Sequence, residues 1–106
     1  MSGGLFMGGE RCELCGQVSQ LWALETHHIV PEELTSQAGM PDSVSVKLCS
    51  NCHRELHLWY SRRVSDMTYD SRIKRFRSKS LVEMVREYEV TYRVFAEYKK
   101  EQQNRT

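Results

Sequence analysis

Apolar positions in the first half of the chain predict two short strands. Residues 18–30 mix β-branched, aromatic and other apolar residues in partial alternation, and Pro31, which has no N–H to donate to a strand ladder, follows them. A strand is therefore predicted over 21–27. Residues 43–48 read SVSVKL, a period-two alternation that predicts a second strand. The turn residues between the two strands predict a loop over 32–42.

Helical periodicity follows the second strand and returns at the end of the chain. From Ser50 the apolar spacing becomes three to four residues, which predicts a helix. A longer helix is predicted from Ser80 to about Lys100 or Gln102, because Ser80 and Glu83 fit a capping box. Its apolar stripe is typical of an amphipathic helix and consists of Leu81, Met84, Val85, Tyr88, Tyr92, Phe95 and Tyr98. This stripe either covers the core of the same chain or pairs with a second copy.

These elements place the chain in the α+β class. The length of 106 residues fits a single compact unit. Within it we predict a glycine-rich flexible lead-in over 1–11, a small strand–loop–strand–helix domain over 12–61, a basic linker over 62–79 and a C-terminal helix over 80–106.

The net charge of +1 hides a compact basic segment. Residues 1–57 carry 3 basic and 7 acidic groups, residues 58–79 carry 7 and 2, and residues 80–106 carry 5 and 5. With 40% hydrophobic and 27% charged residues, the composition excludes a disordered polyelectrolyte and a uniformly basic DNA-coating protein. The cations of the middle segment either follow a nucleic-acid backbone or form a solvated linker face, and they are Arg62, Arg63, Arg72, Lys74, Arg75, Arg77 and Lys79.

The chain also lacks the features of an exported or membrane-spanning protein. It has no apolar run of about 18 residues, and its first ten residues lack the basic start and apolar stretch of a signal peptide. We therefore expect no membrane partner and a cytoplasmic location, in a bacterium or in the host of a phage. In such a reducing compartment, cysteines are metal ligands or reactive thiols more often than disulfides.

The four cysteines have the spacing of metal ligands. Cys12 with Cys15, and Cys49 with Cys52, form two Cys-x2-Cys pairs. Each pair presents two thiolates from one turn, so the two pairs together complete the tetrahedral site that structural zinc prefers. Four ordinary buried cysteines, or a redox role for one pair, are the alternatives. The 33 residues between Cys15 and Cys49 exceed the spacing of a simple zinc ribbon.

All four histidines lie between the cysteine pairs or just after them. His27 and His28 are adjacent at a strand end, so their side chains should face opposite sides. His53 and His57 are four residues apart on the predicted helix and can hold one ion together. The alternative is a set of polar side chains with a structural role only.

Taken together, these residues resemble the HNH endonuclease family, whose ββα-metal fold is a two-stranded hairpin and a helix around one catalytic divalent ion. The strings HHIVP (27–31) and LCSNCHRELH (48–57) are similar to the two motif blocks of the family, and the resemblance covers residues 12–60. It implies that His28 is the general base, that His27, His53 and His57 hold the catalytic ion, and that the four cysteines hold a structural zinc ion.

The chain departs from this family at one position. The family has an asparagine on the second strand that ties the loop and helps to orient the base, whereas residues 42–48 read DSVSVKL here. Only Asp42, Ser43 or Ser45 offers a polar side chain in its place. The departure bears on the strength of catalysis more than on the fold.

The resemblance implies a metal-dependent endonuclease that hydrolyses DNA phosphodiester bonds with low sequence specificity. Its cofactors would be a structural Zn²⁺ and a catalytic Mg²⁺, Mn²⁺, Ni²⁺ or Zn²⁺. It would be a monomer, or a homodimer through the C-terminal helix, and would work with a larger partner protein of a phage or mobile element. The alternatives are a catalytically inactive zinc-stabilised nucleic-acid-binding module, favoured by the absent asparagine, and a zinc-dependent protein-interaction domain, favoured only by the aromatic helix.

Overall fold

The computed structural model describes residues 9–20 and 23–104. This part of the chain forms, in order, β1 (Gly9–Arg11), β2 (Val18–Gln20), β3 (Glu25–His28), α1 (Glu32–Gln37), β4 (Ser45–Leu48), α2 (Ser50–Arg63), β5 (Met67–Asp70), β6 (Arg75–Ser78) and α3 (Leu81–Asn104). The strands pair as three antiparallel hairpins, β1–β2, β3–β4 and β5–β6. The predicted α+β class is confirmed. Among the described residues, no helix is long and apolar enough to cross a membrane.

The β3–β4 hairpin and α2, which follows β4 almost directly, form a ββα unit. In the hairpin, Glu25 pairs with Leu48 and His27 pairs with Val46. Only Cys49 separates β4 from α2, and its Sγ accepts a hydrogen bond from the backbone N of Cys52 at 3.5 Å. This side-chain cap satisfies one of the N–H groups that every helix N-terminus leaves without a partner. Because the connection is so short, the first turns of α2 lie directly beside β3.

The segment between the strands of this unit differs from its prediction. The loop predicted over 32–42 is wrong at its start, where α1 forms with Glu32 and Glu33 in its first turn and Thr35 buried. Acidic residues are favourable at a helix N-terminus, and this preference outweighed the turn residues further on. Those turn residues end the helix instead, since Gly39 has a φ of 68°, in the left-handed region that favours glycine.

Both strands of the unit are shorter than predicted. β3 begins at Glu25, while Leu21 and Trp22 of the predicted strand 21–27 lie outside the described residues. β4 begins at Ser45 instead of Ser43, because Ser43 uses its side chain to bind the backbone of Val30.

The flanking segments also carry strands that were not predicted. Residues 9–11 of the predicted lead-in form β1, and residues 1–8 lie outside the described residues. The segment 62–79, predicted as a basic linker, contains the end of α2 and the whole β5–β6 hairpin. Its two strands, MTYD and RFRS, alternate with period two, a pattern that the many cations of this segment obscured.

α3 follows the prediction closely and completes the core. Ser80 and Glu83 form the predicted capping box, with the Ser80 N donating to Glu83 Oε1 at 2.7 Å and the Glu83 N donating to Ser80 Oγ at 3.1 Å. The helix runs to Asn104, slightly beyond the predicted end. Its Phe95 is fully buried in the same core cluster as Leu48 and Leu56, so α3 covers the ββα unit of its own chain.

Candidate metal and nuclease site

The four cysteines converge beneath the start of α2. Cys12 and Cys15 come from the turn between β1 and β2, which Gly16, at a φ of 74°, allows to close. All four Sγ atoms lie within 4.8 Å of one another, and the Sγ atoms of Cys15 and Cys49 are 3.9 Å apart. A tetrahedral zinc site with Zn–S bonds of about 2.3 Å has S–S edges of about 3.8 Å. The cluster therefore fits the zinc ion that the spacing predicted.

The surroundings of these thiols shift their pKa values in opposite directions. Burial acts to raise the pKa of Cys12, but backbone N–H groups of Cys15, Cys49 and Leu14 outweigh it and lower that pKa to about 7. Burial raises the pKa of Cys15 and of Cys52. Lys99 of α3 lies close enough to Cys52 and Cys15 for their charges to interact, so this cation offsets part of the negative charge of a four-thiolate site.

A second cluster brings three of the four histidines together. His27 points from β3 toward α2 and is 5% exposed, while His53 and His57 lie one turn apart on α2. One ring nitrogen of each lies within 4.8 Å of the others, and the Nε2 atoms of His53 and His57 are 3.1 Å apart. Two nitrogens bound to one tetrahedral ion at about 2.0–2.1 Å would be about 3.3–3.4 Å apart. These three residues therefore fit a single divalent ion.

Neighbouring polar groups set which nitrogen of His27 is available. Tyr60 Oη lies 2.9 Å from the carbonyl oxygen of Ile29, which can only accept, so the single hydroxyl proton is donated there. The 3.0 Å contact between Tyr60 Oη and His27 Nε2 must then be donated by His27. This leaves the Nδ1 lone pair of His27 for an ion. Burial raises the pKa of Tyr60, which keeps its hydroxyl protonated.

Glu25 plays the same part for His53. Its Oε1 lies 2.7 Å from His53 Nδ1 and accepts that N–H, which leaves Nε2 without a proton. Burial, followed by the neighbouring His53 and His57, lowers the pKa of His27 to about 4, and burial also lowers the pKa of His57. Neutral imidazoles are the form in which histidine binds metals.

Glu25 and Tyr60 belong to the site but to none of the motifs in the sequence. Tyr60 follows His53 and His57 at helical spacings of seven and three, and Glu25 shares a strand face with His27 at a spacing of two. These periodicities placed both residues on the site face, but they did not reveal the hydrogen bonds.

His28 stands apart from the three-histidine cluster but shares its cleft. Its Nε2 lies 3.5 Å from Oε2 of Glu32 in α1, whereas His27 contacts Tyr60 in α2. A cavity of about 460 Å³ is lined by His27, His28 and His57 together with Thr26, Pro31, Glu32, Tyr60, Ser61, Val64 and Tyr88. The cleft thus offers a half-buried imidazole beside the nitrogen cluster.

Ser43 is the polar residue that ties the loop after β3. Its Oγ accepts from the backbone N of Val30 at 3.0 Å and donates to the carbonyl oxygen of the same residue at 3.2 Å. Val30 is fully buried and lies two residues after His28. Of the three candidates for the missing asparagine, Ser43 therefore makes loop-tying contacts, while the side chain of Asp42 is exposed and that of Ser45 is exposed on β4.

The seven predicted nucleic-acid-binding cations have three kinds of surroundings. Three are held by carboxylates of the same chain, since Asp70 binds Arg72 and Arg77, and Glu87 binds Lys79. Arg63 lies 4.5 Å above the ring of Trp59. The remaining three are exposed and have no ion pair within the described part of the chain: Arg62, Lys74 and Arg75. Binding of nucleic acid by the seven stays a prediction.

Part of the chain is similar in sequence to a known restriction enzyme. Over 62 residues the chain is 37% identical to the type IV methyl-directed restriction enzyme EcoKMcrA of Escherichia coli (strain K12). The matched stretch covers 53% of this chain and 21% of that enzyme. No family model matches the chain, and no solved structure is significantly similar to it.

Proposed function

We propose that this protein is a metal-dependent endonuclease of the HNH type that hydrolyses phosphodiester bonds of DNA. The observation that carries the proposal is the convergence of His27, His53 and His57 in a cleft that also contains His28. The partial similarity to a restriction enzyme supports it independently. A role for the histidines in folding alone does not account for Glu25 and Tyr60, which leave metal-binding lone pairs on His53 and His27.

The residues of the chain have separable roles in this mechanism. When bound, a divalent ion supplies Lewis-acid stabilisation to the phosphate and to the leaving 3′ oxygen. His27, His53 and His57 hold that ion, and His28 accepts a proton from the water that attacks phosphorus. Imidazole exchanges protons near neutral pH, which suits this role. Glu32, 3.5 Å from His28 Nε2, stabilises the protonated imidazole that results.

The four-cysteine site is proposed to be structural. It lies at the N-terminal end of α2, whereas His57 and Tyr60 lie five and eight residues after Cys52. Zinc there would fix the first turn of α2 against the β1–β2 turn and so position His53 and His57. The cytoplasmic location, the larger partner and the oligomeric state remain predictions.

A nicking assay tests the proposal. Supercoiled plasmid is incubated with the zinc-loaded protein and a panel of Mg²⁺, Mn²⁺, Ni²⁺ and Zn²⁺, while the bound zinc is counted. We expect a second metal site and nicking that depends on the added ion. We expect His28→Ala to lower the nicking rate by at least about 10²-fold, the usual contribution of a general base, while it leaves the zinc content and the circular-dichroism spectrum unchanged.

The second candidate is a zinc-stabilised nucleic-acid-binding module without catalysis, favoured by the serine at the asparagine position. One tightly bound zinc ion per chain, with DNA binding but no nicking under any ion, would establish this module and refute the nuclease. Nicking by His28→Ala at the wild-type rate would instead refute the assignment of the base.

A further inference from the structure

The β5–β6 hairpin turns charged side chains toward the protein and exposes aromatic side chains to solvent. Asp70, which is 9% exposed, points toward the body of the protein on the same face as Arg77. The opposite face exposes aromatic rings to solvent, with Tyr69 54% and Phe76 66% exposed. A buried charge and an exposed apolar patch are the departures from ordinary burial that call for explanation.

The inward face of this hairpin anchors it to α3. Arg77 donates from both terminal nitrogens to the two carboxylate oxygens of Glu83, at 2.9 and 3.0 Å. The Lys79 N donates to the Asp66 carbonyl at 2.8 Å, and its Nζ binds Glu87. These contacts account for the charged face, and the aromatic face takes no part in them.

The aromatic face is arranged as a small platform. Tyr69 and Phe76 are direct partners across the hairpin, with ring centroids 5.4 Å apart in an edge-to-face arrangement. Ile73, at the tip, is also exposed. An edge-to-face pair leaves the flat face of one ring open, which is the geometry that a stacked partner requires.

Charge indicates what this platform contacts. The tip presents Arg72, Lys74 and Arg75, and the only carboxylate within 67–79 is the buried Asp70. Its surface is therefore apolar and cationic, without an exposed acid. Two such tips would repel each other, which disfavours a second copy of the chain as the occupant. An anionic ligand with flat apolar faces is favoured, and unpaired nucleic-acid bases have this chemistry.

We propose that the aromatic face of this hairpin binds unstacked bases of DNA, with Tyr69 and Phe76 stacking on the bases and Lys74, in the turn at the tip, contacting the adjacent phosphates. The inference rests on the proposed function in taking DNA as the ligand. Only Ser65 and Asp66 separate β5 from Val64, which lines the histidine cleft, so one DNA molecule can reach both surfaces. Stacking tolerates any base, which agrees with low sequence specificity.

Fluorescence anisotropy tests the inference without cleavage, in the His28→Ala background. A fully paired duplex is compared with the same duplex carrying two unpaired bases. We expect the duplex with unpaired bases to bind about tenfold more tightly, within the range that one stacked base provides. Tyr69→Thr with Phe76→Thr, which keeps β propensity, should abolish this preference and change affinity for the paired duplex by less than about twofold.

Two further variants distinguish base stacking from phosphate contacts and from the removal of exposed apolar side chains elsewhere on the protein. Lys74→Gln should weaken binding of both duplexes equally and reduce the salt dependence of binding. The matched control, Val82→Thr with Val90→Thr, removes two exposed apolar side chains of α3 and should change neither affinity.

Several outcomes would overturn the inference. Equal affinity of the His28→Ala protein for the two duplexes would do so, and so would a preference that survives when Tyr69→Thr and Phe76→Thr are added. A wild-type dimer that this variant converts to a monomer in sedimentation would assign the face to a second copy. If the wild-type protein nicks plasmid but the binding assay shows no preference for unpaired bases, base binding by the hairpin is refuted and the nuclease proposal stands. If the preference is observed but no nicking occurs, the nuclease proposal is refuted and base binding by the hairpin stands.

Discussion

At the scale of single residues, Tyr60 determines how His27 can act. Its hydroxyl bridges the carbonyl of Ile29 and the Nε2 of His27, which fixes both the ring orientation and the tautomer. Without the hydroxyl, His27 could rotate or carry its proton on Nδ1, and the three nitrogens would no longer converge. Tyr60 is therefore a positioning residue for the proposed catalytic ion.

Tyr60→Phe should weaken binding of the second divalent ion by about 10- to 100-fold, the usual effect of removing a group that orients a metal ligand. Calorimetric titration of the zinc-loaded protein measures this affinity, and long-range ¹⁵N–¹H spectra of the ion-free protein report the His27 tautomer. Tyr88→Phe is the control, because Tyr88 packs against Tyr60 at a ring distance of 4.9 Å without contacting His27 by a hydrogen bond. An unchanged tautomer and affinity in Tyr60→Phe would contradict the role.

Ser43 acts on the backbone beside the proposed base. Val30 is buried, and the side chain of Ser43 binds both its N–H and its carbonyl oxygen. A buried backbone group without a partner costs as much as a lost hydrogen bond. The serine thus connects the loop after β3 to the start of the segment that leads into β4.

Ser43→Ala should lower the free energy of unfolding by about 1–3 kcal/mol, because it leaves two buried polar groups of Val30 unsatisfied. Urea denaturation of the zinc-loaded protein measures the change. The exposed Ser45 offers a matched control, and Ser45→Ala should stay within about 0.5 kcal/mol of wild type. Equal stabilities for the two variants would show that the Ser43 contacts do not hold the loop.

At the scale of elements, α3 begins at a junction that also holds the β5–β6 hairpin. Glu83 closes the capping box with Ser80 and binds Arg77 of β6 through both oxygens. One carboxylate thus serves the helix N-terminus and the hairpin together. The side chain of Arg77, followed by the N–H of Ser80, lowers the pKa of Glu83 from 4.5 to about 2.

The sign of this shift predicts an acid-sensitive junction. The folded state favours the carboxylate, so its stabilising contribution is complete above about pH 4.5 and is lost as the pH falls through about 2. Carboxyl ¹³C shifts measured against pH report the pKa directly. Glu83→Gln should lower hydrogen-exchange protection of the β5–β6 amides several-fold at pH 7, whereas Glu89→Gln on the exposed side of α3 should not. A measured pKa of Glu83 near 4.5 would show that Arg77 and Ser80 do not stabilise its carboxylate.

At the scale of the whole molecule, α3 and the cysteine scaffold share one core. Phe95 is fully buried among Cys12, Cys52, Leu56 and their neighbours, and its ring lies 4.9 Å from that of Trp59. Lys99 binds Glu55 of α2 at 3.0 Å, and Gln103 donates to the carbonyl of Leu14 in the β1–β2 turn. The helix therefore packs on both parts of the cysteine scaffold.

Phe95→Ala should lower the free energy of unfolding by about 3–5 kcal/mol, because it leaves a cavity in this core. Because folding and zinc binding are coupled, the variant should also release zinc to a chelator faster. Denaturation and a colorimetric chelator assay measure the two effects. Val94→Ala, at the partly exposed neighbouring position, should have a much smaller effect on both. A destabilised protein with unchanged zinc release would show that the scaffold folds independently of α3.

The sequence by itself determined the features that depend on short spacings. The Cys-x2-Cys pairs, the i, i+4 histidines and the capping box of α3 all follow from local backbone geometry, and the structure shows each one. The α+β class and the ability of the four cysteines to hold a zinc ion could be predicted because both depend on such short spacings.

Only the tertiary structure decided which partner each polar side chain meets. That Tyr60 meets His27 across 33 positions, that Ser43 binds the backbone of Val30, and that Arg77 is held by Asp70 and Glu83 depend on how the elements pack. The basic segment is the clearest case. Its charge predicted a linker along a phosphate backbone, whereas several of its cations turned inward to carboxylates and left two aromatic rings facing solvent, because ion pairs with α3 anchor the hairpin by its charged face.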